Sequence, residues 1–350
     1  MQTFSLPTRL IFGENALEAL KDASLGRVLV VTDPFFEQNG TAARIAALCG
    51  GESRIFSGVR PDPDMSQIAA GVAVLQQFAP DTLLALGGGS AIDCAKGILS
   101  LGQSKARLVA IPTTSGTGSE VTSFAVLTHN GVKYPLVEEG LRPAMAVLDP
   151  SLLAKLPAGL IADAGMDVLA HCLEAVAAKN ATLFSDALAF FAFQTALNEL
   201  PRSLAGSLDA REKVHCAATM AGIAFDHAGL GACHALSHAL GGAFHLAHGR
   251  LNGILLPHVV LFNASCAAER YERLAAACHL SGTRGLLMAL RRLRAQLHLP
   301  GNLREAGLER SAVLAAADEI CSAAVKDPCT AANPRPVTRE DYAGLLRAAL

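Results

Sequence analysis

The chain has 350 residues, 51% of them hydrophobic and 17% charged, with a formal net charge of -2. That length accommodates two domains with full cores, and the balanced charge offers no basic footprint for nucleic acid and no polybasic membrane anchor. Nine scattered cysteines without a CxxC pair suit reduced thiols, no uncharged apolar run reaches bilayer length, and Met1 to Thr8 does not read as a secretory signal, so a cytoplasmic protein is expected.

The first half alternates short β-branched runs with amphipathic stretches. Leu10 to Phe12 reads as a strand, Glu14 to Lys21 as a helix, and Arg27 to Thr32 as a buried strand ending in Asp33. Arg54 to Phe56 is another strand, and a helix is expected from Met65 to Phe78. Thr82 to Leu86 is a strand closed by Gly87, Gly88, Gly89 and Ser90, with Ala91 to Leu101 helical behind it. Leu108 to Pro112 is the next strand, and it delivers the loop Thr113 to Glu120, TTSGTGSE. Such alternation indicates a mostly parallel sheet covered by helices. From Leu160 onward the chain shows long apolar helices and hardly any strand signal. The expected organisation is an α/β domain over residues 1–155 and an all-helical domain over 156–350, with the boundary between about Pro150 and Gly159 and a ligand cleft where the two meet.

GGGSAIDCAK, from Gly87 to Lys96, places glycines between a strand and a helix start. There, exposed backbone N–H groups and the helix dipole favour a pyrophosphate. Ser90 is expected to cap that helix and to donate to phosphate, although three glycines are also compatible with a plain tight turn. The dinucleotide fingerprint usually sets the ribose-binding acid about 20 residues after the glycines. Here Asp33 comes first; its carboxylate suits the ribose hydroxyls of NAD, and an Asp-Pro turn opening a helix fits the same residues. Thr113, Thr114, Ser115 and Thr117 bring hydroxyls to a flexible loop, and Lys133 offers a cation for cofactor oxygens.

In the second half, Asp167 and His171 stand four apart in DAGMDVLAHCLE. His234 and His238 stand four apart in GACHALSHALGGAFHLAHG, and His245 and His248 follow after Gly241 and Gly242, which are expected to break the helix. Residues four apart share a helix face, so two remote helical pairs can present a carboxylate and imidazoles to one divalent cation. A buried Asp in so apolar a setting requires a cation or donors beside it. The HxxxH spacing of His234 and His238 is also that of zinc peptidases, but Ala235 stands where their water-activating glutamate would be.

Taken together and in this order, GGGSAIDCAK, PTTSGTGSE, KYPL, LDPSL, GMDVLAHCLEA, GACHALSHALGGAFHLAHG and DPCTAANPR resemble the iron-type (group III) alcohol dehydrogenases, within the superfamily of glycerol dehydrogenase and dehydroquinate synthase. The opening twenty residues look most like the branch of 1-propanol dehydrogenases associated with bacterial microcompartments. The resemblance implies an α/β dinucleotide-binding domain followed by an all-α metal domain. It implies NAD(H) and Fe2+, with Zn2+ as the alternative ion, and hydride transfer between a short-chain alcohol and its aldehyde. It further implies a homo-oligomer, with shell or cargo proteins of a microcompartment as partners. Its metal ligands fall on Asp167, His171, His234 and His248, and its cofactor positions on Asp33, Gly88, Gly89, Ser90, Asp93, Thr113, Thr114, Thr117 and Lys133. His238 matches a catalytic histidine beside the substrate. Phe124, Phe225 and Cys329 match the substrate pocket, and His245 matches no ligand. Where many members read Pro-His-Gly at the last ligand, this chain has Ala247, His248, Gly249. A glycerol dehydrogenase-like polyol activity is the alternative within the superfamily. A dehydroquinate synthase-like lyase is disfavoured by the scarcity of lysines and arginines around the metal motifs.

Overall fold

A computed structural model describes residues 3–129 and 132–350. The chain divides into two compact units, Met1–Lys155 and Leu156–Leu350.

The first unit is built on eight strands: β1 (Arg9–Phe12), β2 (Val28–Thr32), β3 (Ser53–Phe56), β4 (Thr82–Gly87), β5 (Arg107–Pro112), β6 (Phe124–His129), β7 (Val132–Val137) and β8 (Met145–Leu148). Six of them form one parallel sheet in the order β1, β8, β5, β4, β2, β3. Its helices are α1 (Pro34–Gln38), α2 (Thr41–Leu48), α3 (Met65–Phe78) and α4 (Gly89–Leu101). Every residue of β2 and β4 is buried, because successive side chains point to opposite faces and both faces are covered. Leu29, Val31, Leu83 and Ala85 join Ile68, Phe78, Ile92 and Ile98 on one face. Val28, Val30, Leu84 and Leu86 join Leu17, Leu20 and Ile45 on the other.

Four features of this unit depart from the sequence reading. The expected helix at Glu14 to Lys21 is a 3-10 helix, Ala16–Asp22, entered through a left-handed Asn15 and anchored by Asp149, which accepts the Leu17 amide at 3.1 Å. The Asp-Pro turn at Asp33 opens a short helix, α1, and a second short helix, α2, and the strand β8 add elements where none was expected. The segment around Lys133, for which no element was expected, is an antiparallel hairpin, β6 with β7. And α4 begins two residues before Ala91, with Gly88 as its N-cap.

The loop after β5 is tied to α4 by a buried lysine. Lys96, 0% exposed, donates from Nζ to the carbonyl oxygens of Ser119, Thr122 and Phe124 at 2.7, 2.8 and 2.7 Å. One turn earlier Asp93 accepts the Ser119 hydroxyl at 2.6 Å and the Val126 amide at 3.0 Å. An ammonium this deep persists only because oxygens replace its water shell.

The second unit contains α5 (Ala158–Ala177), α6 (Leu183–Leu204), α7 (Leu208–Ala228), α8 (Ala232–Phe244), α9 (His248–Ala277), α10 (Gly282–Gln296), α11 (Arg310–Lys326), α12 (Pro328–Ala332) and α13 (Arg339–Ala348), with no strand among its described residues. Helix α5 is buried nearly all round and packs on α6, α7, α8 and α9, which explains its lack of a polar face. Its Met166, Leu169, Leu173 and Val176 each add roughly 1.5–3 kcal/mol of burial. Helix α9 is long and apolar enough to cross a membrane by length and composition, yet much of its apolar surface lies within this core. Pro257 inside it leaves the Gly253 carbonyl without a helical donor, and Arg294 donates to that oxygen at 3.4 Å.

Replacing Lys96 by Met removes the donor from three carbonyls while keeping the side-chain bulk. The expected loss is roughly 3 kcal/mol in the first unit, since each orphaned acceptor costs about 1–3 kcal/mol. Urea denaturation followed by near-ultraviolet circular dichroism measures it, and an unchanged midpoint would show that the lysine is dispensable.

Candidate active site

Helix periodicity sets up the site in the second unit. On α5, Asp167, His171 and Glu174 lie at positions i, i+4 and i+7, one above the other on a single face. On α8, His234 and His238 share a face, and His248 is the first residue of α9. Glycine at 249 lets α9 reach α5: a Cβ there would lie 2.0 Å from the Asp163 carbonyl oxygen, so only hydrogen permits this approach.

The three elements converge on one carboxylate oxygen. Nε2 of His248, His234 and His171 lies 3.5, 3.6 and 3.9 Å from Asp167 Oδ1. Donor atoms of Asp167, His234 and His248 all fall within 4.8 Å of one another. The far ring nitrogens have their own partners. His234 Nδ1 is 2.7 Å from Glu174 Oε2, and His248 Nδ1 is 3.1 Å from the Ser237 hydroxyl. A carboxylate behind Nδ1 keeps the proton there and turns the Nε2 lone pair of His234 inward.

The electrostatics of the cluster favour positive charge. Burial by itself would raise Asp167, yet the imidazoles of His171, His248 and His234 hold it well below the usual carboxylate range. Burial by itself would lower His234, and the Asp167 and Glu174 carboxylates outweigh it, pushing it up to about 9. One oxygen and three imidazole nitrogens form a donor set that fits a borderline divalent ion such as Fe2+ or Zn2+. The His234 side chain is 1% exposed and that of His248 30%, so the cluster is closed on one side and open on the other.

Besides Ser237, three residues of this neighbourhood were given no role from sequence. Glu174 accepts the amides of Gly231, Cys233 and His234 at 3.0, 2.7 and 3.2 Å, and so caps α8 while orienting His234. Its i+7 spacing from Asp167 was a readable signal. Asn252, one turn after His248, brings its amide nitrogen to 2.7 Å from Asp167 Oδ1 and to 3.1 Å from Nε2 of both His234 and His248. An amide nitrogen has two protons, so it gathers these atoms without bonding all three at once. Asp327 lies 2.9 Å from His238 Nδ1, and no local pattern announced it.

The remaining residues of this unit fall around the cluster. Phe225 stacks on His171, ring centroids 4.4 Å apart, and is nearly buried. Cys329 is buried beside Asp327, and burial pushes its thiol well above the usual range. His245 is the exposed, left-handed C-cap of α8. The expected helix break at Gly241 and Gly242 does not occur; both lie inside α8, which ends at His245 because that residue leaves the helical region at φ 55°.

In the first unit, neighbouring strands deliver the cofactor candidates to one edge of the sheet. Thr32 of β2 pairs with Leu86 of β4, and Gly87 of β4 pairs with Pro112 of β5. Asp33, the glycine turn and Thr113 therefore leave the sheet side by side, where parallel sheets bind nucleotides. Asp33 caps α1, accepting the Phe35 and Phe36 amides through Oδ1 at 2.9 and 3.2 Å, while Oδ2 lies toward Gly87. A Cβ at Gly89 would lie 2.8 Å from the Thr117 methyl, which favours glycine there, and one at Gly88 would lie 3.1 Å from the Thr114 methyl. Ser90 lies in the first turn of α4 and does not cap it; Gly88 holds that position, with no side chain to contribute. Asp93 commits one oxygen to Ser119 of the loop and the other to the Val126 amide of β6. Phe124 opens β6 half-buried. The side chain of Lys133 lies outside the described residues.

Residues 7–150 match the family model for iron-containing alcohol dehydrogenase, and residues 161–350 match that for the Fe-containing alcohol dehydrogenase family, C-terminal. The chain belongs to the iron-containing alcohol dehydrogenase family. Among curated relatives of this family, it is 44% identical over 292 residues to the 1-propanol dehydrogenase PduQ of Citrobacter freundii, covering 80% of this chain and 79% of that one. It is 38% identical over 366 residues to the PduQ of Salmonella typhimurium, covering 99% of each. The iron-containing alcohol dehydrogenase of Thermococcus thioreducens superposes with a TM-score of 0.94 at 33% identity over 99% of each chain. The resemblance read from the motifs is thereby shown at the level of family and fold.

Glu174→Gln keeps the shape but weakens the hold on the His234 tautomer. Metal affinity is expected to fall about 10–100-fold. Competition against a chromogenic chelator measures this, and an unaltered affinity would remove Glu174 from the site.

Proposed function

We propose that this alcohol dehydrogenase interconverts a short-chain primary alcohol and its aldehyde with NAD(H), and that propanal and 1-propanol are its pair. The observation carrying the reading is the clustering of Asp167, His234 and His248, with His171 Nε2 3.9 Å from the same Asp167 oxygen, in a chain 38% identical to a 1-propanol dehydrogenase over 99% of both lengths.

Those four residues would hold Fe2+, with Zn2+ the other ion suited to the donor set. When bound, the ion supplies Lewis acidity to the substrate oxygen and the dinucleotide exchanges a hydride at its nicotinamide C4. The protein's part is arrangement. Glu174 and Ser237 hold the rings of His234 and His248 from behind. Phe225 and Cys329 give the substrate a largely apolar wall, which favours an alkyl chain over a polyol. His238 exchanges the alcohol proton with solvent. In the other unit, the amides at the start of α4 and the hydroxyls of Thr113, Thr114 and Thr117 receive the pyrophosphate. Asp33 receives the ribose hydroxyls and repels the additional phosphate of NADP.

We further propose a cytoplasmic homo-oligomer carried inside a microcompartment, on the likeness to the 1-propanol dehydrogenases alone. Cell fractionation with and without shell proteins tests this; recovery only in the free soluble fraction would end it.

His234→Ala and His248→Ala are expected to lose bound metal, whereas His238→Ala retains it and turns over more slowly, by about 10²-fold or more. Metal analysis beside an anaerobic assay of propanal reduction checks both. In the same assay NADH should serve far better than NADPH. Preference for NADPH would refute the role given to Asp33.

A further inference from the structure

One ring nitrogen of His238 is committed to a carboxylate. Nδ1 lies 2.9 Å from Asp327 Oδ2. The other carboxylate oxygen, Oδ1, accepts the Cys329 amide at 2.8 Å, because Asp327 is the N-cap of α12 and Pro328 its first residue. Rotating the carboxylate away from His238 would thus also sacrifice a helix cap. Burial would raise Asp327, but the hydrogen bond and charge of His238, together with the Cys329 amide, hold it below the usual range. With Oδ1 taken by the Cys329 amide and Oδ2 facing Nδ1, the carboxylate accepts on both oxygens, and an uncharged imidazole hydrogen-bonded to it carries its proton on Nδ1. The ring plane is held as well: His238 stacks on His248 with centroids 5.1 Å apart and planes 14° from parallel.

We infer that Asp327 is the positioning residue for proton transfer: it fixes the tautomer and orientation in which His238 Nε2 takes the alcohol proton and returns it during aldehyde reduction. This rests on the reading of His238 as the proton carrier. In alcohol oxidation the O–H bond breaks, its electron pair stays on oxygen, and its proton bonds to Nε2. The hydride lost from carbon goes to the dinucleotide. His238 is then an imidazolium, stabilised by the Asp327 carboxylate until Nε2 releases the proton to water. Asp327 gains no proton at any stage. The arrangement follows the logic by which a buried carboxylate directs a catalytic histidine in hydrolases.

Asp327→Asn isolates the effect, because asparagine caps a helix as well as aspartate does. Its side-chain NH2 can turn toward Nδ1 and select the tautomer with the proton on Nε2. We expect kcat to fall about 10²-fold or more, with a larger solvent isotope effect, an unchanged KM for propanal, unchanged NADH binding and full metal content. Asp327→Glu, which restores the acceptor, should recover part of the loss. Wild-type turnover and isotope effect in Asp327→Asn, alongside a slow His238→Ala, would overturn the positioning role and leave the proton carrier standing. Full turnover in His238→Ala would overturn the carrier itself. The donor atoms of His238, Asp327 and Cys329 also lie within 4.8 Å of one another. Loss of one metal equivalent in both Asp327→Asn and Cys329→Ser would therefore overturn the inference in favour of a cation at that cluster.

Discussion

A carboxylate removed from water governs the second unit. Asp167 is 3% exposed in the middle of an otherwise apolar helix, and desolvating an ion there is costly unless charge or dipoles meet it. Three imidazoles meet it, one from the same helix and one from each of two others. That requirement explains why α9 must begin directly against α5, why residue 249 has no side chain, and why α8 must end its first turn at the same point. The metal chemistry of the family is thus inseparable from the packing of these helices.

The surrounding polar groups serve position rather than bulk stability. The cap amide and the first three amides of α8 have no helical acceptors. Glu174 takes those of Gly231, Cys233 and His234, and Asn333 takes that of Ala232 at 3.2 Å. Asn333 is in turn locked to Asn263 by a reciprocal amide pair, both bonds 2.9 Å. The segment DPCTAANPR therefore secures the helix that carries two histidines and supplies the carboxylate behind one of them. In the first unit Lys96 does the equivalent for the threonine loop, replacing its hydration with backbone oxygens.

Much of the fold was legible in the residues because periodicity is local. The helix expected from about Met65 to Phe78 spans those residues, with Asp64 as its cap and apolar residues at helical spacing. The central strands were plain from short unbroken apolar runs, VLVVT and TLLAL, bounded by turn residues. The hairpin β6–β7 was not, because its strands are short and its Lys133 and Pro135 resemble loop residues; pairing with each other overrides that weak preference. The glycines at 241 and 242 misled for a similar reason. Glycine lowers helix propensity by only about 1 kcal/mol, which packing in α8 outweighs.

By itself, the sequence determined which residues share a helix face: Asp167 with His171 and Glu174, His234 with His238, His248 with Asn252. It also ordered the glycine turn, the threonine loop and Asp33 along the chain. Those relations follow from the fixed geometry of one helix or one strand end. Only the tertiary structure decided that the three faces meet at Asp167, that Glu174 orients His234, and that Asp327 stands behind His238. These contacts span long separations in the chain. They depend on how whole helices pack, which no local spacing encodes.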